Sequence, residues 1–245
     1  MNNTPPFADD PRPDLAAFCA HALPDDVSAV IFDFDGTLAD TTPGHEAALR
    51  EALAPYDIEL KHDWYLQHVG LSVEDLLTAL PGGRRLPHHT IIHASRALLL
   101  SSLDAIAPLP CTVSLLGVAR QAELPCAVAS GASRVLVFPG LQALGLADKF
   151  AAIVAREDAE QGKPAPDLYL EAARRLNVPA KRCLAVDDAP DGIASARAAG
   201  MRVLTIKHGH LSGVAEARTT TTSAGSSSAA RHPRAARRAA CAEGA

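Results

Sequence analysis

Short apolar runs, each closed by Pro, Gly or a charged residue, recur along the chain at Ser28 to Asp33, Pro125 to Ser130, Ala151 to Val154, Arg182 to Asp187 and Met201 to Ile206. Each reads as a strand buried on both faces. Between them lie stretches with helical spacing: Val113 to Glu123, Ser133 to Leu146, Asp167 to Leu176 and Asp191 to Ala199. In the third of these, Leu168, Ala172 and Leu176 recur every fourth residue behind Pro164 and Pro166, and proline suits a helix start. Gly200 follows the fourth, the residue type that ends helices in a left-handed turn. The alternation predicts an α/β fold, a doubly wound parallel sheet with helices on both faces.

The alternation breaks once, after the first strand, where the patterns are helical only. Gly44 to Pro55 places Ala48, Leu49, Ala52 and Leu53 on one face. Ser72 to Leu80 opens with a capping serine and Asp75 three residues on, and His88 to Leu103 is a further helical stretch. The spacing therefore predicts a helical cap over residues 42–108, with joints near Thr41 to Pro43 and Ala107 to Pro110, inserted into a core formed by 27–41 and 109–217. Residues 1–26 read as an N-terminal extension. Residues 218–245, rich in Ser, Thr, Ala and Arg and almost without large apolar side chains, read as a disordered tail.

With 245 residues, 48% of them hydrophobic, the chain can bury a full core. Its formal charge is −5, but Arg231, Arg234, Arg237 and Arg238 against Glu243 make residues 219–245 +3, so the remainder carries −8. An acidic folded part argues against a nucleic-acid surface, which needs clustered Lys and Arg. No apolar stretch approaches a membrane span and no secretory signal is evident, so a soluble cytoplasmic protein is expected. Cys19, Cys111, Cys126, Cys183 and Cys241 are scattered without metal-ligand spacing and read as reduced thiols. The group His88, His89 and His93 reads as a solvated surface, and Trp64 and Tyr65 as packing residues.

In an open parallel sheet, ligands bind beyond the carboxyl ends of the strands, so polar residues where the apolar runs stop are the candidates for chemistry. The first run ends at Asp33, with Asp35 two residues on; the second ends at Ser130-Gly131; the fourth ends at Asp187-Asp188. Lys163 lies ahead of the third core helix. Alternation along an extended chain points Asp33 and Asp35 to one side. With Asp187 and Asp188 they would make four carboxylates in one crevice, a concentration of like charge that calls for a divalent cation. Hard oxygen ligands describe Mg2+. Asp33 is then a feasible nucleophile toward phosphate, Asp35 its acid/base partner, and Ser130, the Gly131 amide and Lys163 the holders of phosphoryl oxygens.

Asp33-Phe34-Asp35-Gly36-Thr37-Leu38, Ser130-Gly131, Gly162-Lys163-Pro164 and Val186-Asp187-Asp188 together resemble the motifs of the haloacid dehalogenase-like hydrolases, most nearly the β-phosphoglucomutase-like phosphatases with a helical cap. The resemblance covers about residues 27 to 212. It implies that Asp33 is nucleophile and metal ligand, that Asp35 is acid/base and binds metal through its main-chain carbonyl, and that Asp188 is a metal-binding carboxylate. It makes Asp187 a ligand directly or through water and His45 a residue at the cap hinge that meets substrate. The expected activity is Mg2+-dependent hydrolysis of small phosphomonoesters, sugar phosphates first, through a phosphoaspartate, by a monomer or weak homodimer. A phosphosugar mutase and a non-catalytic phosphate-binding module are the alternatives. Two positions depart from the pattern: Ala189 stands where a serine usually follows the metal-binding aspartate, and Val73 where the mutase carries an arginine for a second phosphate.

Overall fold

The computed structural model describes residues 23–215 apart from 70, 104, 105 and 208. The expected tail, and the expected extension as far as residue 22, lie outside the described residues. The strands are β1 (Ala29–Phe32), β2 (Ala39–Asp40), β3 (Ala107–Pro108), β4 (Cys126–Ala129), β5 (Ala152–Val154), β6 (Cys183–Asp187), β7 (Arg202–Lys207) and β8 (His210–Ala215). The helices are α1 (Thr42–Leu53), α2 (His62–Gln67), α3 (Val73–Ala79), α4 (His88–Ser101), α5 (Pro110–Gln121), α6 (Arg134–Ala143), α7 (Asp167–Leu176) and α8 (Pro190–Ala198).

A six-stranded sheet runs β5-β4-β1-β6-β7-β8, parallel except for β8. Every residue of β1, β4 and β6 is buried, as their unbroken apolar runs require. Side-chain alternation divides the core into two layers. Val30, Phe32, Val128, Leu184 and Val186 pack with Leu115 and Leu116 of α5 and with Val137 and Leu141 of α6. Ala29, Ile31, Ala127, Ala185 and Val203 pack on the other face with Leu168, Tyr169 and Ala172 of α7 and Ala196 of α8. The second layer is built from smaller side chains on the sheet, which leaves room for the Tyr169 ring.

The sheet is thus mixed, not wholly parallel: β8 returns antiparallel on β7, with an irregularity between Leu204 and Ile206. The stretch between β1 and α5 is not purely helical either. Ala39↔Pro108 and Asp40↔Ala107 pair as a short antiparallel ribbon where the chain leaves and re-enters the core. Between those crossings α1 to α4 enclose their own cluster, including Leu49, Leu53, Leu77 and Ile91. Ser72 caps α3 as its sequence foretells, accepting from the Asp75 amide at 3.1 Å.

Trp64 and Tyr65 both pack in the helical cluster as anticipated, Trp64 at its edge, where it also stacks on His68 with ring centroids 3.9 Å apart. One smaller expectation needs correction. His88 is not simply solvated: its Nδ1 meets Glu74 Oε1 at 2.7 Å and its Nε2 the Gly83 carbonyl at 2.9 Å, tying α3 to the start of α4. His89 and His93 are exposed. Cys126 and Cys183 are buried, which pushes their thiols up to about 12 and about 11. Among the described residues no helix is long and apolar enough to cross a membrane.

Candidate active site

Strand register brings the chemistry together. Phe32 of β1 lies opposite Val128 of β4 and Val186 of β6, so the next residues along, Asp33 and Asp187, emerge side by side at the carboxyl rim. The Asp33 amide donates to the Val186 carbonyl at 2.9 Å, which holds that alignment past the end of β1. Ser130 follows β4 at the same rim, its amide bonded to the Val154 carbonyl at 3.0 Å.

Lys163 links the strands. Its Nζ donates to Asp33 Oδ1 at 2.6 Å and to Asp187 Oδ2 at 2.7 Å. All three side chains are nearly closed to solvent, at 11%, 8% and 0% exposure, so the ammonium offsets charge that water does not reach. Burial pushes the Asp33 carboxyl well above the ordinary carboxylate range, against the pull of Lys163, and Asp187 and Asp35 add to the rise. Burial acts to lower Lys163, but the two carboxylates outweigh it and hold the ammonium firmly protonated.

Carboxylate oxygens of Asp33, Asp187 and Asp188 lie within 4.8 Å of one another. An all-oxygen, anionic donor set of this compactness fits a small hard divalent cation such as Mg2+. Asp188 Oδ1 accepts from the Thr37 hydroxyl at 2.8 Å. Its carboxyl is raised by burial and by Asp187, with Thr37 pulling the other way. Gly36 makes this approach possible. It sits at φ +74°, and a Cβ there would lie 2.4 Å from Asp188 Oδ2.

The Asp35 side chain is brought to the site by a turn, not by strand alternation. β1 stops at Phe32, and the backbone folds through bonds from Leu38 and Ala39 to the Phe34 carbonyl and from Gly36 to the Ala39 carbonyl. Asp35 Oδ1 meets His45 Nε2 of α1 at 3.4 Å, joining the core to the helical insert. Burial acts to raise Asp35, but hydrogen bonds from His45 and Thr41, helped by the His45 and Lys163 charges, bring it below the ordinary range.

Ser130 is fully buried, and its Oγ accepts from the Ala132 amide at 3.0 Å, which shapes the turn containing Gly131. The structure therefore unites Asp33, Lys163, Asp187 and Asp188 directly, sets Asp35 against His45, and places Ser130 at the neighbouring strand end. Beside Asp188 a cleft of ≈ 500 Å³ runs past Gly36, Asp40, Thr42 and Leu109 to Lys207, along the ribbon that joins the insert to the core.

Two contributors went unassigned in the sequence. Thr37 lies inside the quoted motif, and a hydroxyl four residues beyond a strand-end aspartate was its signal. Tyr169 donates to Asp187 Oδ2 at 2.6 Å and lies under Lys163, whose Nζ is 5.0 Å from the ring centroid. One position along from the apolar stripe of α7, it carried no sequence mark distinguishing it from a packing residue.

Known proteins are similar to this chain in sequence and fold. The family model for haloacid dehalogenase-like hydrolases matches residues 27–200. The fructose-1-phosphate phosphatase YqaB of Escherichia coli is 32% identical over 185 residues, covering 74% of this chain and 96% of that protein. The β-phosphoglucomutase of Bacillus subtilis is 30% identical over 193 residues, covering 75% and 84%. The crystal structure of CbbY from Rhodobacter sphaeroides in complex with phosphate superposes with a TM-score of 0.65 at 28% identity, covering 73% of this chain and 85% of that one. Motifs, sheet order and family match agree: the chain belongs to the haloacid dehalogenase-like hydrolases.

Proposed function

We propose that this chain is a Mg2+-dependent phosphatase of small phosphomonoesters, preferentially sugar phosphates, working through a phosphoaspartate on Asp33. The observation that carries the reading is the buried contact of the Lys163 ammonium with Asp33, with the Asp187 and Asp188 carboxylates within 4.8 Å. The similarity to a fructose-1-phosphate phosphatase supports the substrate class.

Asp33, Asp188 and the Asp35 carbonyl are the groups that would hold Mg2+, with the Asp187 carboxylate beside them. Bound there, the ion would neutralise developing charge on the phosphoryl oxygens. Asp33 attacks phosphorus through a carboxylate oxygen, and Lys163, Ser130 Oγ and the Gly131 amide hold the equatorial oxygens. Asp35 gives a proton to the departing alcohol, then takes one from the water that releases phosphate. At rest it favours the carboxylate, the form the water step needs. An arriving phosphate dianion adds like charge and raises it toward the acid form. His45, in contact with Asp35, couples the α1 end of the insert to this centre, and the insert acts as a cap that excludes water during transfer. The working unit is a monomer or weak homodimer in the cytoplasm, with a phosphorylated metabolite as its partner and no role in binding nucleic acid or membrane.

The test is phosphate release from a panel of sugar phosphates with Mg2+ and with EDTA. Release is expected with Mg2+ and at least ~10³-fold less in EDTA. Isomerisation without release would establish the mutase reading, which the similarity to a β-phosphoglucomutase favours and the valine at position 73 opposes.

Gly36→Ala offers a narrower check. The added methyl group meets Asp188 Oδ2 at 2.4 Å in a backbone conformation that disfavours side chains. The Mg2+ concentration for half-maximal activity should rise about 10–100-fold, read by titrating metal at fixed substrate.

A further inference from the structure

Tyr169 stands where the proposed reaction needs rigidity. It is fully buried, and its hydroxyl donates to Asp187 Oδ2 at 2.6 Å, the same oxygen that accepts Lys163 Nζ at 2.7 Å. The other oxygen of Asp187 accepts from the Ala189 amide at 3.0 Å. Gly192 of α8 backs the group closely: a Cβ there would fall 2.0 Å from Asp187 Oδ2. The Asp187 carboxylate is therefore pinned by three donors and a backbone wall. Lys163, by contrast, has a flexible four-carbon stem, and an ammonium can rotate among acceptors. Bonded to Asp33 alone, it could slide across both oxygens of that carboxylate and mask the attacking one. A second acceptor fixed on its far side keeps it on Oδ1.

We propose that Tyr169 is a positioning residue: by locking Asp187 it holds the Lys163 ammonium at one oxygen of Asp33, with Asp187 serving as the anchor for Lys163 in preference to ligating metal. This rests on the reading of Asp33 as the nucleophile. Three donors already satisfy Asp187, and charge-assisted bonds of this length define the geometry of both partners. The phenol ring adds a second constraint, lying 5.0 Å from the ammonium on the α7 side.

Tyr169→Phe keeps the ring and removes the hydroxyl. With p-nitrophenyl phosphate as substrate, kcat should fall about tenfold or more while KM changes less than about threefold, because the lost bond orients a group that acts in the transition state. The Mg2+ concentration for half-maximal activity should stay within about twofold, as expected if Asp187 is not a ligand. A second readout needs no turnover: reductive methylation of the metal-free protein with formaldehyde, followed by peptide mass spectrometry, with the exposed Lys181 as internal reference. Lys163 should be labelled severalfold faster in the variant. Leu168→Val, in the same buried layer, controls for packing and should lower thermal stability without changing Lys163 labelling or the kcat to KM pattern.

Unchanged labelling, unchanged kcat, or a tenfold shift in Mg2+ requirement in Tyr169→Phe would each overturn the proposal. Failure of the wild-type protein to hydrolyse any phosphomonoester would instead overturn the phosphatase reading, and the labelling result would still decide whether Tyr169 fixes Lys163. If Tyr169→Phe does not fold, Asp187→Asn decides. It keeps the side-chain volume and removes the anchoring charge, so faster Lys163 labelling is expected, and unchanged labelling would contradict the anchor.

Discussion

Asp33→Asn should abolish phosphate release, with kcat reduced by about 10⁴-fold or more, while the protein remains folded. The amide is nearly the size of the carboxylate, and its nitrogen or oxygen cannot form a productive phosphoaspartate, so the proposed reaction would lose its covalent route. Removing the charge also relieves a buried group whose carboxyl is already pushed up by desolvation. Thermal stability should therefore be unchanged or slightly higher. Steady-state release from p-nitrophenyl phosphate, paired with a melting curve, checks both halves. Wild-type turnover in a folded Asp33→Asn protein would remove Asp33 from the chemistry.

Lys163→Met should be costly twice over. Lys163 is the buried cation between Asp33 and Asp187, and its removal leaves two adjacent carboxylates in a site that is 8% and 0% exposed. Breaking a buried ion pair from one side costs about 3–5 kcal/mol, because the remaining charge is left uncompensated. For a chain of this size that corresponds to a melting temperature lower by about 10 °C. Activity should also fall by about 10³-fold or more, since the same ammonium holds a phosphoryl oxygen in the proposed transition state. Melting in EDTA and in Mg2+ separates the two roles: the metal should recover part of the stability by neutralising Asp33, and little of the activity. A Lys163→Met protein as stable as wild type in EDTA would contradict the burial argument.

Asp33, Lys163, Asp187 and Asp188 were legible because each lies where an apolar run stops or a helix begins, and because in a parallel sheet such ends converge on one rim. The strands themselves were legible because burial on both faces removes polar residues from their length, as in the fully buried β1 and β6. β8 was missed because an antiparallel edge strand is not buried on both faces and His210–Ala215 includes His, Ser and Gly. The β2–β3 ribbon was missed because two residues per strand hold no periodicity, and its pairing joins positions such as Ala39 and Pro108 that are remote in sequence.

What the sequence determined by itself is the chemical inventory and its order along the chain: which carboxylates, which ammonium, and the strand ends that carry them. These follow from local rules of burial and periodicity, which act over a few residues. The tertiary structure alone decided how those groups touch. The turn at Gly36 aims Asp35 toward His45, the neighbouring strands bring Lys163 between Asp33 and Asp187, and α7 delivers Tyr169 to the same oxygen. The physical reason is that hydrogen bonds and ion pairs depend on ångström-scale placement between segments far apart in sequence, 130 positions for Lys163 and Asp33 and 151 for Thr37 and Asp188. Such placement is set by packing of the two core layers and leaves no periodic trace in the residues themselves.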